Sequence, residues 1–333
     1  MHTRLNFFLI FAIAALAAWP PLNAATFELP PANEAVVGEP MKVVARYEDT
    51  LVDLARRNSL GFDEIRHANP KVDAWLPGAG TEVVLPTRFM LPDAPREGIV
   101  VNIAEKRLYY YPKVRVGAQP EVVTYPISIG RGDWKTPLVT TKITSKVKDP
   151  TWYPPESVRK EHAAEGDILP KAVPPGPRNP LGQYALHLGL ESYLIHGTNK
   201  PFGIGMQVTH GCIRLYPEEI EALFQSVEVG TPVRIVDQPY KAGWQGDTLY
   251  LEAHAPLDGT VKANAAQNLT PVVGQVISAT QGREDNPIDW NKVRRVVNDQ
   301  AGVPIAISRE GQQHPTASTS IAQSGTPASA ATQ

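Results

Sequence analysis

Cysteine is nearly absent from this 333-residue chain, which holds a single one, Cys212. One cysteine excludes an internal disulfide framework, so the fold must rest on an apolar core, for which 42% hydrophobic residues suffice. An excess of charge of one sign is also lacking. Lys and Arg number 32 against 34 Asp and Glu, a formal balance of −2. Nucleic acid is therefore not an expected partner, because phosphate contacts need clustered positive charge. Beyond the amino terminus there is no long uninterrupted apolar run, and the mature chain is expected to be soluble or peripherally held.

The start of the chain is the exception. His2 and Arg4 precede an apolar block from Leu5 to Trp19, and small residues follow around Asn23, Ala24 and Ala25. This three-part layout predicts a secretory signal over residues 1–24, and the block is short for a membrane span. An uncleaved anchor is the competing reading. Export would put Cys212 in an oxidising compartment, where an idle thiol is a liability. Its presence asks for a function, against the alternative of a buried, inert residue.

The pattern divides the chain further. Over residues 40–86, a strand from Lys42, a helix after Asp49-Thr50, a second helix near Phe62–Ala68 stopped by Asn69-Pro70, and a strand over Glu82–Leu85 predict a small α+β unit. Residues 97–236 carry short β-branched or aromatic runs bounded by Gly, Pro or Asn. Strands are expected at Ile99–Ile103, Arg107–Tyr111, Glu121–Ile129, Leu138–Val147, Gly182–Leu188, Tyr193–His196 and Pro232–Val236. Helical periodicity is clear there only at Pro217–Gln225. In a C-terminal extension, 237–309, a strand is expected at Leu249–His254 and a helix at Pro287–Val297. Residues 310–333, poor in bulky apolar groups, are expected to be disordered.

The chemistry concentrates in His196-Gly197-Thr198-Asn199, Gly203-Ile204-Gly205 and Thr209-His210-Gly211-Cys212-Ile213-Arg214. A thiol needs a nearby imidazole to take its proton or lower its pKa. His210 shares a face with Cys212 in an extended segment, whereas His196 must come from a neighbouring strand; spacing does not choose between them. The N–H groups of His210, Gly211 and Cys212 are candidates for stabilising an oxyanion, with Gly211 permitting the tight turn. A Cys/His/His zinc site is an alternative reading. Trp134, Trp152 and Tyr153, beside prolines, are expected to pack, and His187 to be structural.

Together with Gly130, Thr136-Pro137, Pro150-Thr151-Trp152, Pro174 to Gly182 and Tyr184-Ala185-Leu186, these motifs resemble the L,D-transpeptidases with a YkuD-type catalytic domain. Residues 40–86 resemble a LysM module through Tyr47, Asp49-Thr50-Leu51, Leu54-Ala55, Ile65, Asn69-Pro70, Leu76-Pro77-Gly78 and Val83–Pro86, with Glu48 where glycine is common. The resemblance implies a mainly β catalytic domain, a YkuD-like β-sandwich with a few short helices, plus the small α+β LysM-like module.

It also implies a thiolate at Cys212, an acid/base at His196 oriented by the carbonyl of Gly197, and support from His210. His210, Gly211 and Cys212 amides would form the oxyanion hole, Arg214 would meet a stem carboxylate, and Thr209 and Asn199 join the substrate-binding candidates. No metal or other cofactor is implied. The implied partners are peptidoglycan stem peptides and glycan, and an outer-membrane lipoprotein C-terminus as a further acceptor. The implied location is the periplasm. A non-catalytic wall-binding protein, an L,D-carboxypeptidase and a zinc peptidase are the competing functions.

Overall fold

The computed structural model describes residues 24–257, 269–283 and 286–308. The expected leader, apart from Ala24, and the expected disordered tail lie outside the described residues. The first elements are β1 (Ala25–Glu28), β2 (Val36–Val37), β3 (Met41–Val44), α1 (Leu51–Arg57), α2 (Phe62–Ala68), β4 (Glu82–Leu85) and β5 (Phe89–Met90). Thr50 caps α1 reciprocally: its Oγ1 accepts from Asp53 N–H, and the Asp53 carboxylate accepts from Thr50 N–H. Asn69 stops α2, with its side chain tied to the Ile65 and Val84 carbonyls and the Val84 N–H. β3 and β4 pair antiparallel, so each element expected over 40–86 is present.

The chain continues through β6 (Gly98–Asn102), β7 (Arg107–Tyr111), β8 (Glu121–Pro126), β9 (Ile129–Gly130), β10 (Val139–Lys148), α3 (Glu156–Ala164), β11 (Tyr184–Leu188), β12 (Leu194–His196), β13 (Gln207–Thr209), β14 (Ile213–Arg214), α4 (Pro217–Ser226) and β15 (Pro232–Val236). Nine strands form one curled sheet, ordered β1-β8-β7-β6-β15-β10-β11-β12-β14. β10 turns the corner: its first half pairs with β15 and its second with β11, with a register shift between Ile143 and Ser145. A bulge of this kind bends a strand. The run expected as one strand over Glu121–Ile129 is two, because Pro126 offers no N–H to continue the ladder and Ile127 N–H turns to the Lys106 carbonyl.

Both faces of the sheet's first half are covered, which explains its unbroken apolar strands. Ile99 and Val101 of β6 and Leu108 and Tyr110 of β7 face inside the curl, against Leu186, Ile195, Ile213 and Ile220. The alternate residues Val100, Tyr109 and Tyr111 face outward and share a second core with Leu51, Leu54, Ile65 and Leu85. Polar contacts tie the two parts as well. Arg107, fully buried, forks onto Glu64 at 2.7 and 2.9 Å, and Arg56 pairs with Glu218 at 2.8 Å. The N-terminal unit therefore has no apolar core separate from the sheet.

β16 (Tyr240–Gln245), β17 (Thr248–Ala253), α5 (Thr270–Thr280), α6 (Trp290–Asp299) and β18 (Ile305–Ala306) complete the chain. Trp244, Leu249, Leu251, Val272, Val276, Val293 and Val297 form their own core. Lys241, buried, anchors this unit to the rest: its ammonium bonds Glu105 at 2.8 Å, Glu252 at 2.9 Å and the Met90 carbonyl. Among the described residues no helix is long and apolar enough to cross a membrane.

Candidate active site

His196 is the last residue of β12, the strand between β11 and β14 in the sheet. It lies opposite Ala185 on one side and Arg214 on the other. Its imidazole is buried, 2% exposed, beside the carbonyls of Gly197 and Leu181, and Nδ1 has no aligned partner. Burial, then the Arg214 charge, push its pKa down to about 3, so the ring is neutral at ordinary pH. Gly197 leaves room for this packing: a Cβ there would meet Ile220 at 3.1 Å and the Leu181 carbonyl at 3.3 Å.

Cys212 follows a turn built by its neighbours. Gly211 has φ +101°, a left-handed conformation open to glycine, and a Cβ would press on the Tyr193 ring at 3.0 Å. Thr209, fully buried, donates its hydroxyl to the Cys212 carbonyl at 2.6 Å and accepts the Gly211 N–H at 3.1 Å. Thr136 bonds the Gly211 carbonyl at 2.9 Å and accepts the Gly130 N–H at 3.0 Å. The thiol lies against the Ser192 carbonyl at 3.5 Å. Burial raises its pKa, opposed by the Leu194 backbone and the Arg214 charge.

Comparison with known proteins places this geometry. The family model for the L,D-transpeptidase catalytic domain, YkuD, matches residues 96–235. The probable L,D-transpeptidase YcfS of Escherichia coli K12 is 40% identical over 312 residues, covering 92% of this chain and 94% of that protein. The probable L,D-transpeptidases YbiS and ErfK/SrfK of the same organism are 37% and 38% identical, covering 92% and 93% of this chain and 100% and 99% of theirs. The chain belongs to the L,D-transpeptidase family.

Several expectations for the transpeptidase site change in the structure. Thr209, a substrate-binding candidate, spends both functions of its hydroxyl inside the turn, away from solvent. The expected three-amide oxyanion hole loses Gly211, whose N–H is taken by Thr209 Oγ1. His210, the alternative base, turns from the thiol. Its Nε2 meets Glu161 of α3 at 2.5 Å and its ring stands edge-on to Trp134, centroids 4.9 Å apart. The thiol hydrogen-bonds neither imidazole. Asn199 is exposed and reaches only the Pro177 carbonyl, at 3.4 Å.

Arg214 lies on β14, mostly buried, with Nε unpartnered and no carboxylate paired to it among the described residues. The donor set for zinc does not converge, since Cys212, His196 and His210 do not bring their ligand atoms within 4.8 Å of one another. Glu105, Glu252 and His254 do, elsewhere in the fold, but Lys241 already supplies the cation between the two carboxylates. Of the aromatic residues expected to pack, Trp134 does so, edge-on against His210, whereas Tyr153 is 71% exposed and not packed. Arg131 and Glu161, missed in the sequence, join His210. They lie 79 and 49 positions from it, and no local spacing signals them.

Proposed function

We propose that this transpeptidase works in the periplasm on peptidoglycan tetrapeptide stems, with Cys212 as nucleophile and His196 as its base. The observation that carries the reading is the parallel pairing of β12 with β14, which sets Arg214 opposite His196 and places Cys212 immediately before β14. The buried imidazole is unprotonated and so free to take a proton, although burial weakens it as a base and raises the thiol pKa. The Arg214 charge favours the thiolate, and its guanidinium, unpaired among the described residues, attracts a carboxylate.

Cys212 Sγ attacks the carbonyl of the third stem residue, a diamino acid, as its proton passes to His196. The N–H groups of His210 and Cys212, with no acceptor among the described residues, face the developing oxyanion. Collapse breaks the peptide bond, the imidazolium returns its proton to the departing D-Ala amine, and a thioester remains. An incoming amine attacks it, loses a proton to His196 and releases the thiol. Substrate binding must close the gap between thiol and imidazole, as apo sites of this type often require.

The acceptor is a neighbouring stem, giving a 3→3 cross-link, or the terminal lysine of an outer-membrane lipoprotein. Residues 40–86, read as a LysM-like unit, would hold the glycan. Incubation with disaccharide-tetrapeptide, with and without a lipoprotein-tail peptide, tests the scheme by mass analysis of products. Cross-linked or tailed products are expected. Tripeptide alone would make the enzyme a carboxypeptidase, and no D-Ala release would leave a wall-binding protein.

A further inference from the structure

The Arg131–Lys135 loop walls one side of the Cys212 turn. Arg131 N–H donates to the Thr209 carbonyl at 3.0 Å, and a Cβ on Gly211 would lie 3.6 and 3.7 Å from the carbonyls of Lys135 and Trp134. α3 lies across this wall and sets Glu161 between two partners: Oε2 is 2.5 Å from His210 Nε2, and Oε1 is 2.5 Å from the Arg131 guanidinium. The side chains of Arg131 and Glu161 remain 45% and 26% exposed, so a guanidinium and a carboxylate stand together, open to solvent, beside the nucleophile's turn. The hydrogen bond from His210, and then Arg131, hold Glu161 below the usual carboxylate range, and it stays charged.

We propose that Arg131 and Glu161 recognise an amino-acid zwitterion, an ammonium and a carboxylate on one carbon, as carried by the free end of a diamino acid in a peptidoglycan stem. The proposal rests on the stem-peptide reading of the site. A simple anion would gain from Arg131 and be repelled by Glu161, and a simple cation the reverse. A zwitterion satisfies both. Arg131 offers the planar fork that matches a carboxylate, and Glu161, oriented by His210, offers an acceptor to the ammonium. Arg131, the more exposed partner, gives up one solvent-screened ion pair to meet a ligand carboxylate, while Glu161 keeps its bond to His210. Trp134, edge-on to His210, supplies an apolar wall for the connecting methylenes.

Two synthetic stems test this, identical except that the third residue ends in ammonium plus carboxylate in one and in ammonium alone in the other. The donor arm follows thioester formation on Cys212 by intact mass, and the acceptor arm follows attack of each stem's amine on a preformed thioester. The parent protein is expected to prefer the carboxylate-bearing stem. Arg131→Met is expected to cut that preference roughly ten- to a hundredfold, mainly through KM, with Arg131→Lys between the two. Glu161→Gln should raise KM for both stems.

A lost preference in the first arm assigns the zwitterion to the donor, and in the second to the acceptor. A preference unchanged by Arg131→Met in both arms, in a variant that melts with the parent, overturns the proposal alone. Failure of the parent to form a thioester with either stem overturns the stem-peptide reading and this proposal with it.

Discussion

Arg107→Met tests how the N-terminal unit is joined to the catalytic sheet. The guanidinium is fully buried. It forks onto Glu64, donates to the Ser59 carbonyl at 2.9 Å and to Thr124 Oγ1 at 3.1 Å, and lies 4.1 Å above the Phe89 ring. Methionine fills much of the volume but leaves Glu64, only 13% exposed, as an uncompensated carboxylate. Breaking a buried pair from one side typically costs about 3–5 kcal/mol, whereas removing both charges is often near neutral. At about 2–4 °C per kcal/mol the single variant should melt on the order of 10 °C below the parent. Adding Glu64→Gln should recover most of the loss, because glutamine still offers an acceptor to the Gly61 N–H that Glu64 caps. Calorimetry on the parent and the Arg107→Met, Glu64→Gln and double variants closes the cycle. A single variant melting within about 2 °C of the parent, or a double variant no better than Arg107→Met, would refute the reasoning.

Other consequences follow from the turn and the buried charges. Thr209→Val is nearly isosteric but orphans the Cys212 carbonyl and the Gly211 N–H; a loss of about 2–4 kcal/mol in urea unfolding is expected, with Thr209→Ser within about 1 kcal/mol of the parent. Gly211→Ala puts a side chain at φ +101° against Tyr193, so strain of about 1–3 kcal/mol should slow carbapenem acylation of Cys212 by roughly ten- to a hundredfold. Because burial raises the Cys212 thiol, the folded protein holds that proton to higher pH than an unfolded chain does. Iodoacetamide alkylation of this single cysteine should therefore keep accelerating above about pH 8.5, the ordinary thiol value, and a plateau below pH 7 would show a preformed thiolate. Lys241→Met leaves Glu105 and Glu252 facing each other, and an additional Glu105→Gln should restore part of the melting temperature.

The strands that sequence revealed are those whose two faces are both apolar, such as β6 and β7, or whose ends carry Pro, Gly or Asn. The Thr50 cap was legible because a capping box is local. β16 was not, because its inward positions include Lys241 and Gly243, which invert the apolar alternation a strand normally shows. α3 buries Val158 and little else, so it has no stripe to read, and α5 is built from Val, Ile, Thr and Gly, which favour other structures. Within the site, the chain order of His196, Gly211, Cys212 and Arg214 carried the motif. The engagement of His210 by Glu161, and of the Gly211 N–H by Thr209, depends on backbone geometry and on a helix about 50 residues away. Neither follows from spacing.

The central claim is that Cys212 carries the acyl group. Intact mass analysis of the protein mixed with a tetrapeptide stem, followed by peptide mapping, tests it most directly. The account requires an adduct equal to the stem minus D-Ala, mapped to Cys212, absent in Cys212→Ala and slow to form in His196→Ala. D-Ala release that continues undiminished in Cys212→Ala, with no adduct on the parent, would contradict it.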